Sequence, residues 1–210
     1  NEINNQLFSF ENIEGIIENK IKLSDKKLHQ INDQIILLSK LIDDLSLIAN
    51  AESGELKLNI ENIDVNNVLQ ETFDIFKDSA NESNIHFINN VKSSIKVNAD
   101  PYRIRQIFSN IFSNALKYLS PENTLEINLE ENNDHLYIKF IDNGPGISKE
   151  KLDMIFQRFF KADENRDRNI SGSGLGLAIT KQLCVAHKWD IVVKSEISKG
   201  TEFAISIPKG

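Results

Sequence analysis

Between Leu28 and Leu45 apolar residues fall at positions 28, 31, 35, 38, 42 and 45, in alternating steps of three and four. This is the spacing of a coiled-coil seam along one side of a helix. Upstream, Ile3, Leu7, Phe10, Ile13, Ile17 and Ile21 draw a similar stripe, and Ser24 or Asp25 offers a helix cap at the polar break between the two. The pattern predicts two amphipathic helices joined as a hairpin. One hairpin has too little interior to cover both stripes, so a homodimer is expected in which two hairpins make a four-helix bundle. The competing arrangement packs the hairpin against the C-terminal part of its own chain.

Gly54 closes the second helix in Ala51-Glu52-Ser53-Gly54, and Glu55–Ile60 then alternates polar and apolar in the manner of a strand. A domain boundary is expected there, with residues 1–54 as the hairpin and 55–210 as a second domain. Within the latter the pattern predicts helices over 65–81 and 101–119, short strands near 85–90 and 95–99, and two alternating strands, Thr124–Glu130 and His135–Ile141. A glycine-bearing turn, short helical pieces, a glycine-rich turn opening the helix Ala178–Ala186, and closing strands near 190–195 and 201–207 complete it. The expected fold class is α+β: a helical hairpin followed by a two-layer α/β sandwich, with helices on one face of a sheet.

Composition narrows the functions. The chain has 210 residues, 40% of them hydrophobic, enough for one or two packed cores. Its net charge of −7 argues against a surface built to neutralise nucleic acid. One cysteine, Cys184, excludes an internal disulfide framework or a multi-thiolate zinc site and fits a reducing, cytoplasmic setting. No apolar run approaches the roughly 20 residues of a membrane span, and the opening residues do not read as a signal peptide. The chain begins without Met, which leaves room for an upstream sensor or membrane segment.

Three blocks carry candidate chemistry. In Asn110-Ile-Phe-Ser-Asn114-Ala-Leu-Lys117-Tyr118, steps of four and three bring Asn110, Asn114 and Lys117 near one helical face. A carboxamide oxygen suits Mg²⁺ and an ammonium suits phosphate, although exposed Asn residues on helices are ordinary. Asp142-Asn143-Gly144-Pro145-Gly146-Ile147 follows a strand. It is either a plain turn or a loop where Asp142 accepts a hydrogen bond from a ligand amino group while glycines admit a planar ring. Gly172-Ser173-Gly174-Leu175-Gly176-Leu177 precedes an apolar helix and presents amides and a helix N-terminus to an anion. It lacks the preceding strand of a dinucleotide fingerprint and the Gly-Lys-Ser/Thr of a P-loop. Lys161–Ser171, anchored by Phe156, Phe159 and Phe160, reads as a lid.

In this order, Asn110–Tyr118, Asp142–Ile147, Ile155–Phe160, Gly172–Leu177 and Gly200–Phe203 resemble the N box, first glycine box, F box, second glycine box and final glycine-Thr element of sensor histidine kinases. The resemblance implies a Bergerat-type ATP-binding domain after a dimerisation and histidine-phosphotransfer hairpin. It implies ATP and Mg²⁺ as cofactors, with Asn114 as the metal ligand and Asn110 near the nucleotide. It places Lys117 at phosphate, Tyr118 by the base or ribose, and Asp142 on the adenine amino group in a pocket shaped by Gly144, Gly146 and Ile147. Gly172, Ser173, Gly174, Leu175, Gly176 and Leu177 would hold phosphates beneath the lid that Lys161 begins, and Thr201 completes the set. Arg158 would approach the γ-phosphate during transfer. A response-regulator receiver domain is the implied partner, and nucleic acid is not expected.

The family's first hairpin helix carries a His-Glu-x-x-Thr/Asn-Pro-Leu pattern. Here Asn1-Glu2-Ile3-Asn4-Asn5-Gln6-Leu7 resembles it at Glu2, where the family has its general base, and at Asn5, its phosphatase-assisting position, but Asn1 stands at the acceptor position. An amide nitrogen's lone pair is delocalised into its carbonyl, so no autophosphorylation is expected there. A replaced His, a natural pseudokinase and a shifted register all account for Asn1, and the matches at Glu2 and Asn5 favour a real alignment. A non-catalytic ATP-binding docking partner is therefore the alternative function. His29, His86, His135 and His187 lack metal partners at helical spacing and are expected to be structural or exposed. Lys188-Trp189 replaces the family's usual glycine pair after His187.

Overall fold

The computed structural model describes residues 25–161 and 173–209. The first stripe, Ser24 and the Asn1, Glu2 and Asn5 positions lie outside the described residues, as do Gly172 and the predicted lid beyond Lys161. The chain divides into two compact units, Asn1–Ala49 and Asn50–Gly210. Among the described residues no helix is long and apolar enough to cross a membrane.

Helix α1 runs Asp25–Glu52. On its predicted seam, Leu28, Ile35 and Ile42 are exposed, at 47%, 49% and 58%. The helix ends where sequence expects: Gly54 takes a left-handed φ of +75° and its amide bonds the Ala51 carbonyl. The segment after it departs from expectation. Glu55–Ile60 forms no strand. Its alternation is satisfied one residue at a time, the Asn59 amide donating to the Asp100 carboxylate instead of to a neighbouring strand.

Strand β1 (Glu61–Asp64) pairs antiparallel with β3 (Lys96–Ala99) as a separate two-stranded ribbon. Helix α2 (Val65–Glu82) begins at an Asp64 cap, and helix α3 (Pro101–Tyr118) at Asp100, whose carboxylate accepts from the Tyr102 and Arg103 amides with Pro at the first position. The main sheet has five strands in the order β2-β4-β5-β7-β6, namely His86–Asn89, Thr124–Glu131, His135–Asp142, Gly200–Pro208 and Asp190–Glu196. It is mixed: β2 runs parallel to β4, and the other pairs are antiparallel. A one-turn helix α4 (Lys149–Leu152) and helix α5 (Gly176–Ala186) lie between β5 and β6.

Period-two alternation sends Leu125, Ile127, Ile138, Phe140, Phe203, Ile205 and Ile191 to one buried face. Glu126, Lys139, Glu202 and Lys194 take the other. Helix α3 supplies the opposite layer: its buried residues Ile104, Ile107, Phe108, Ile111, Phe112 and Ala115 form a 3.6-period stripe. Phe112 packs its ring against Phe73, Phe76, Phe87 and Phe140 at centroid distances of 5.5–6.2 Å. This anchors the helix by its apolar side and leaves the Asn110–Asn114–Lys117 side away from the core. Cys184 is fully buried in α5, and burial pushes its thiol up to about 12.

Candidate functional site

Sheet register assembles the first part of the site. Asp142 at the end of β5 pairs with Thr201 of β7, which pairs with Ser195 of β6, so three polar side chains lie abreast on the face that is apolar elsewhere. The Asp142 Oδ1 accepts the amides of Gly144 at 2.8 Å and Thr201 at 3.1 Å. No partner engages Oδ2 among the described residues. Burial raises the carboxyl above its ordinary range, and the two amide bonds pull it back only in part. A half-buried carboxylate with one oxygen tied and one open is a receptor for an N–H donor.

Two glycines make this geometry possible. Gly146 sits at φ +69°, and a Cβ there would meet the Glu196 carbonyl oxygen at 2.0 Å; Gly200 sits at φ +96°, where a Cβ would meet the Asp142 carbonyl oxygen at 1.8 Å. Backbone passes over backbone at both points, so only glycine fits. Ser195 locks them together: its hydroxyl donates to the Gly200 carbonyl at 2.7 Å, accepts the Ile147 amide at 2.8 Å and lies 2.9 Å from the Thr201 hydroxyl. Sequence reasoning did not single out Ser195. The available signal was a polar residue in the inward register of Ile191 and Val193.

The second part lies between α3 and α5. The Asn110 amide donates to the Gly176 carbonyl at 2.9 Å and toward the Thr180 hydroxyl at 3.3 Å, so this Asn ties the two helices together. Asn114, one turn on, is half-buried and its carboxamide has no hydrogen-bond partner among the described residues. Lys117 lies over the Tyr118 ring, its Nζ 5.2 Å from the centroid. Before α5, Gly174 is at φ +71° and its missing Cβ makes room for the Phe159 backbone, which would stand 2.8 Å away. Phe159 itself holds a left-handed φ of +61°, a strained conformation for an aromatic residue. The Ser173 hydroxyl accepts the Leu175 amide at 3.3 Å, Leu175 is buried, and Leu177 lies on the first turn of α5. Arg158 pairs with Glu52, both side chains being half-exposed. Lys161 is exposed at the edge of the described residues.

The histidines sort as expected for structural roles. His86 is exposed beside Glu122, 3.6 Å away. His187 is buried and hydrogen-bonded at both ring nitrogens. Lys188 takes up the glycine-like turn, at φ +60°, and Trp189 is buried behind it. Among the described residues no three His, Cys, Asp or Glu side chains converge as a metal site.

A mixed sheet faced by an asparagine-bearing helix, with a carboxylate at one strand end and a glycine loop opening the next helix, defines an ATPase fold shared by several enzyme classes. The family model for histidine kinase-, DNA gyrase B-, and HSP90-like ATPases matches residues 99–210. Sensor histidine kinase WalK of Bacillus subtilis (strain 168) is 34% identical over 199 residues, covering 93% of this chain and 32% of that protein. Among solved structures, the Acinetobacter baumannii histidine kinase AdeS superposes with a TM-score of 0.77 at 26% identity, over 96% of this chain and 93% of that one. Full-length ShkA in complex with AMPPNP shares the fold, with a TM-score of 0.74 at 24% identity over 90% of this chain and 40% of that one. The chain belongs to the histidine kinase-, DNA gyrase B-, and HSP90-like ATPase family, in its sensor histidine kinase branch. It spans about a third of the length of the Bacillus relative.

Proposed function

We propose that this chain is the catalytic core of a two-component sensor kinase, taking Mg-ATP in residues 55–210 and directing the γ-phosphate toward the hairpin acceptor position, from which a response-regulator aspartate would receive it; Asn1, which stands at that position here, does not itself accept the group. The observation that carries this reading is Asp142. Its Oδ1 is held by two backbone amides while its Oδ2 has no partner among the described residues, an arrangement matched to the exocyclic amino group of adenine. Gly144, Gly146, Ile147 and Thr201 would enclose that end, with Tyr118 near the base or ribose. Asn114, whose carboxamide oxygen has no partner among the described residues, fits Mg²⁺, a hard ion that takes oxygen ligands beside phosphate and neutralises its charge. Lys117 and the amides of Ser173 to Leu177 would meet the phosphate chain at the helix N-terminus. Arg158 would leave Glu52 to stabilise charge on the transferring group.

The exposed seam of Leu28, Ile35 and Ile42 supports a homodimer through the hairpin; a cytoplasmic location belongs to the same reading, in keeping with the single reduced cysteine. Asn1 favours a second reading, a non-catalytic ATP-binding partner that docks a regulator. Calorimetry with AMPPNP and Mg²⁺ tests the common core. Micromolar binding that falls at least about 100-fold in Asp142→Asn is expected, since the new amide presents a donor to a donor. No uptake by folded protein, or uptake indifferent to Asp142, overturns it. Labelled ATP with Asn1→His separates the two readings: acid-labile phosphate marks a kinase, and nucleotide binding without label marks the docking partner.

A further inference from the structure

The imidazole of His187 occupies the junction of α3 and α5, at the opposite end of α5 from the Gly174–Gly176 loop. It is 9% exposed, and its ring lies 5.3 Å from that of Trp189. Nδ1 is 2.7 Å from the Leu183 carbonyl oxygen, and Nε2 is 3.1 Å from the Asp100 amide nitrogen. A carbonyl only accepts and an amide only donates. Nδ1 therefore carries the proton and Nε2 offers its lone pair, which is the neutral imidazole in a single tautomer. Asp100 caps α3, so this bond fastens the end of α5 to the start of α3. Asn110, bonded to Gly176 and Thr180, fastens the start of α5 to the middle of α3. Two hydrogen-bonded points at opposite ends leave α5 no freedom to slide.

We infer that His187 is a positioning residue for nucleotide binding: as a neutral Nδ1–H imidazole bridging Leu183 and Asp100, it holds α5, and hence the Gly174–Gly176 loop, in register with Asn114 on α3. This rests on the nucleotide reading of the site. A second proton would place a donor at Nε2 against the Asp100 N–H and break the bridge, releasing one end of α5. The charges acting on the ring are the Asp100 carboxylate and the Arg103 guanidinium, both on α3; α5 presents the Leu183 carbonyl, and the turn presents the Trp189 ring. Burial holds the imidazole pKa below its ordinary value, with the Leu183 bond and Asp100 opposing and Arg103 assisting. The bridge is accordingly intact at neutral pH and lost only in acid.

The test uses the whole chain in three forms, wild type, His187→Gln and His187→Phe, titrated with AMPPNP and Mg²⁺ at pH 8 and at stepwise lower pH, with the ring's protonation followed by NMR in parallel. Gln keeps an acceptor toward Asp100 without titrating, and Phe keeps volume without an acceptor. The expected result is that Gln binds within about threefold of wild type at pH 8 while Phe binds about tenfold more weakly. Once acid adds the second proton to the ring, wild type should fall toward Phe by a factor that Gln does not show. Because all three share the titration of the nucleotide and of Asp142, only the difference between variants is read. Equal affinities at pH 8, or parallel profiles for wild type and Gln across the pH at which the ring takes its second proton, overturn the inference. Nitrogen-15 NMR of the ring decides the bridge without nucleotide: an Nδ1–H tautomer persisting below pH 6.5 supports it, and an Nε2–H tautomer or a solvent-like titration overturns it. Failure of wild type to bind nucleotide while the ring shows the Nδ1–H tautomer would overturn the site reading and the positioning role that rests on it, but leave the bridge itself established.

Discussion

The two ends of the candidate nucleotide site are built differently. At the Asp142 end, backbone crosses backbone at Gly146 and Gly200, and one Ser195 hydroxyl ties three segments together. At the Gly174–Gly176 end a single backbone approach at Phe159 is joined by side chains, Asn110 above all. The first end has no slack, because strand register sets its donors and acceptors. The second depends on how α5 sits against α3 and on Arg158, which is held at the surface by Glu52. A rigid end suits recognition of an invariant ring, and an adjustable one suits a phosphate chain that must be bound, moved and released.

The contrast can be broken most decisively at the glycines. Gly200→Ala would put a Cβ 1.8 Å from the Asp142 carbonyl oxygen at φ +96° and should cost about 3 kcal/mol or more. Gly176→Ala, whose Cβ would stand 3.6 Å from Asn110, should change stability by less than about 1 kcal/mol and toward greater stability, since a helical glycine is being replaced. Urea midpoints measure both, and equal costs would erase the difference between the two ends.

Ser195→Ala should cost about 2 kcal/mol by leaving the Ile147 amide and the Gly200 carbonyl without their partner, and should weaken nucleotide binding. A smaller effect separates recognition from stability. Asp142 has a raised pKa because of burial, so the folded state holds its proton more tightly than the unfolded chain. The stability from this group is present in acid and lost as pH rises from about 4 through the folded value. Asp142→Asn should therefore become relatively more stable between pH 4 and pH 7 by denaturation while losing nucleotide in calorimetry. Last, Lys188→Gly should relieve the left-handed turn at φ +60° and raise stability by about 0.5–1 kcal/mol, read from the melting temperature.

Much of the second domain was legible because its elements obey simple periods. The apolar stripe of α3 and the alternation of β4, β5 and β7 give both their location and their buried face, and the glycines at 146 and 200 fall where backbone must pass close. Glu55–Ile60 misled because alternation reports which way side chains face, and an extended segment bonded at Asn59 satisfies that as well as a strand does. Asn110 and Asn114 read alike in sequence. Only tertiary contact distinguishes them, since one amide meets Gly176 and the other meets no described partner. Ser195 and His187 escaped for the same reason: their roles come from partners 48 and 87 residues away. Period and spacing carry no such information.

The chain's one thiol has an experimental consequence. Cys184 is fully buried and its thiol is pushed up to about 12, so at neutral pH it contributes almost no thiolate and resists alkylating dyes. The native sequence is already a silent background for maleimide chemistry. A cysteine placed at an exposed position such as Ser53 or Gln157 would take a fluorophore or spin label alone, and distances measured from it would report conformational change in a protein whose interior had not been altered.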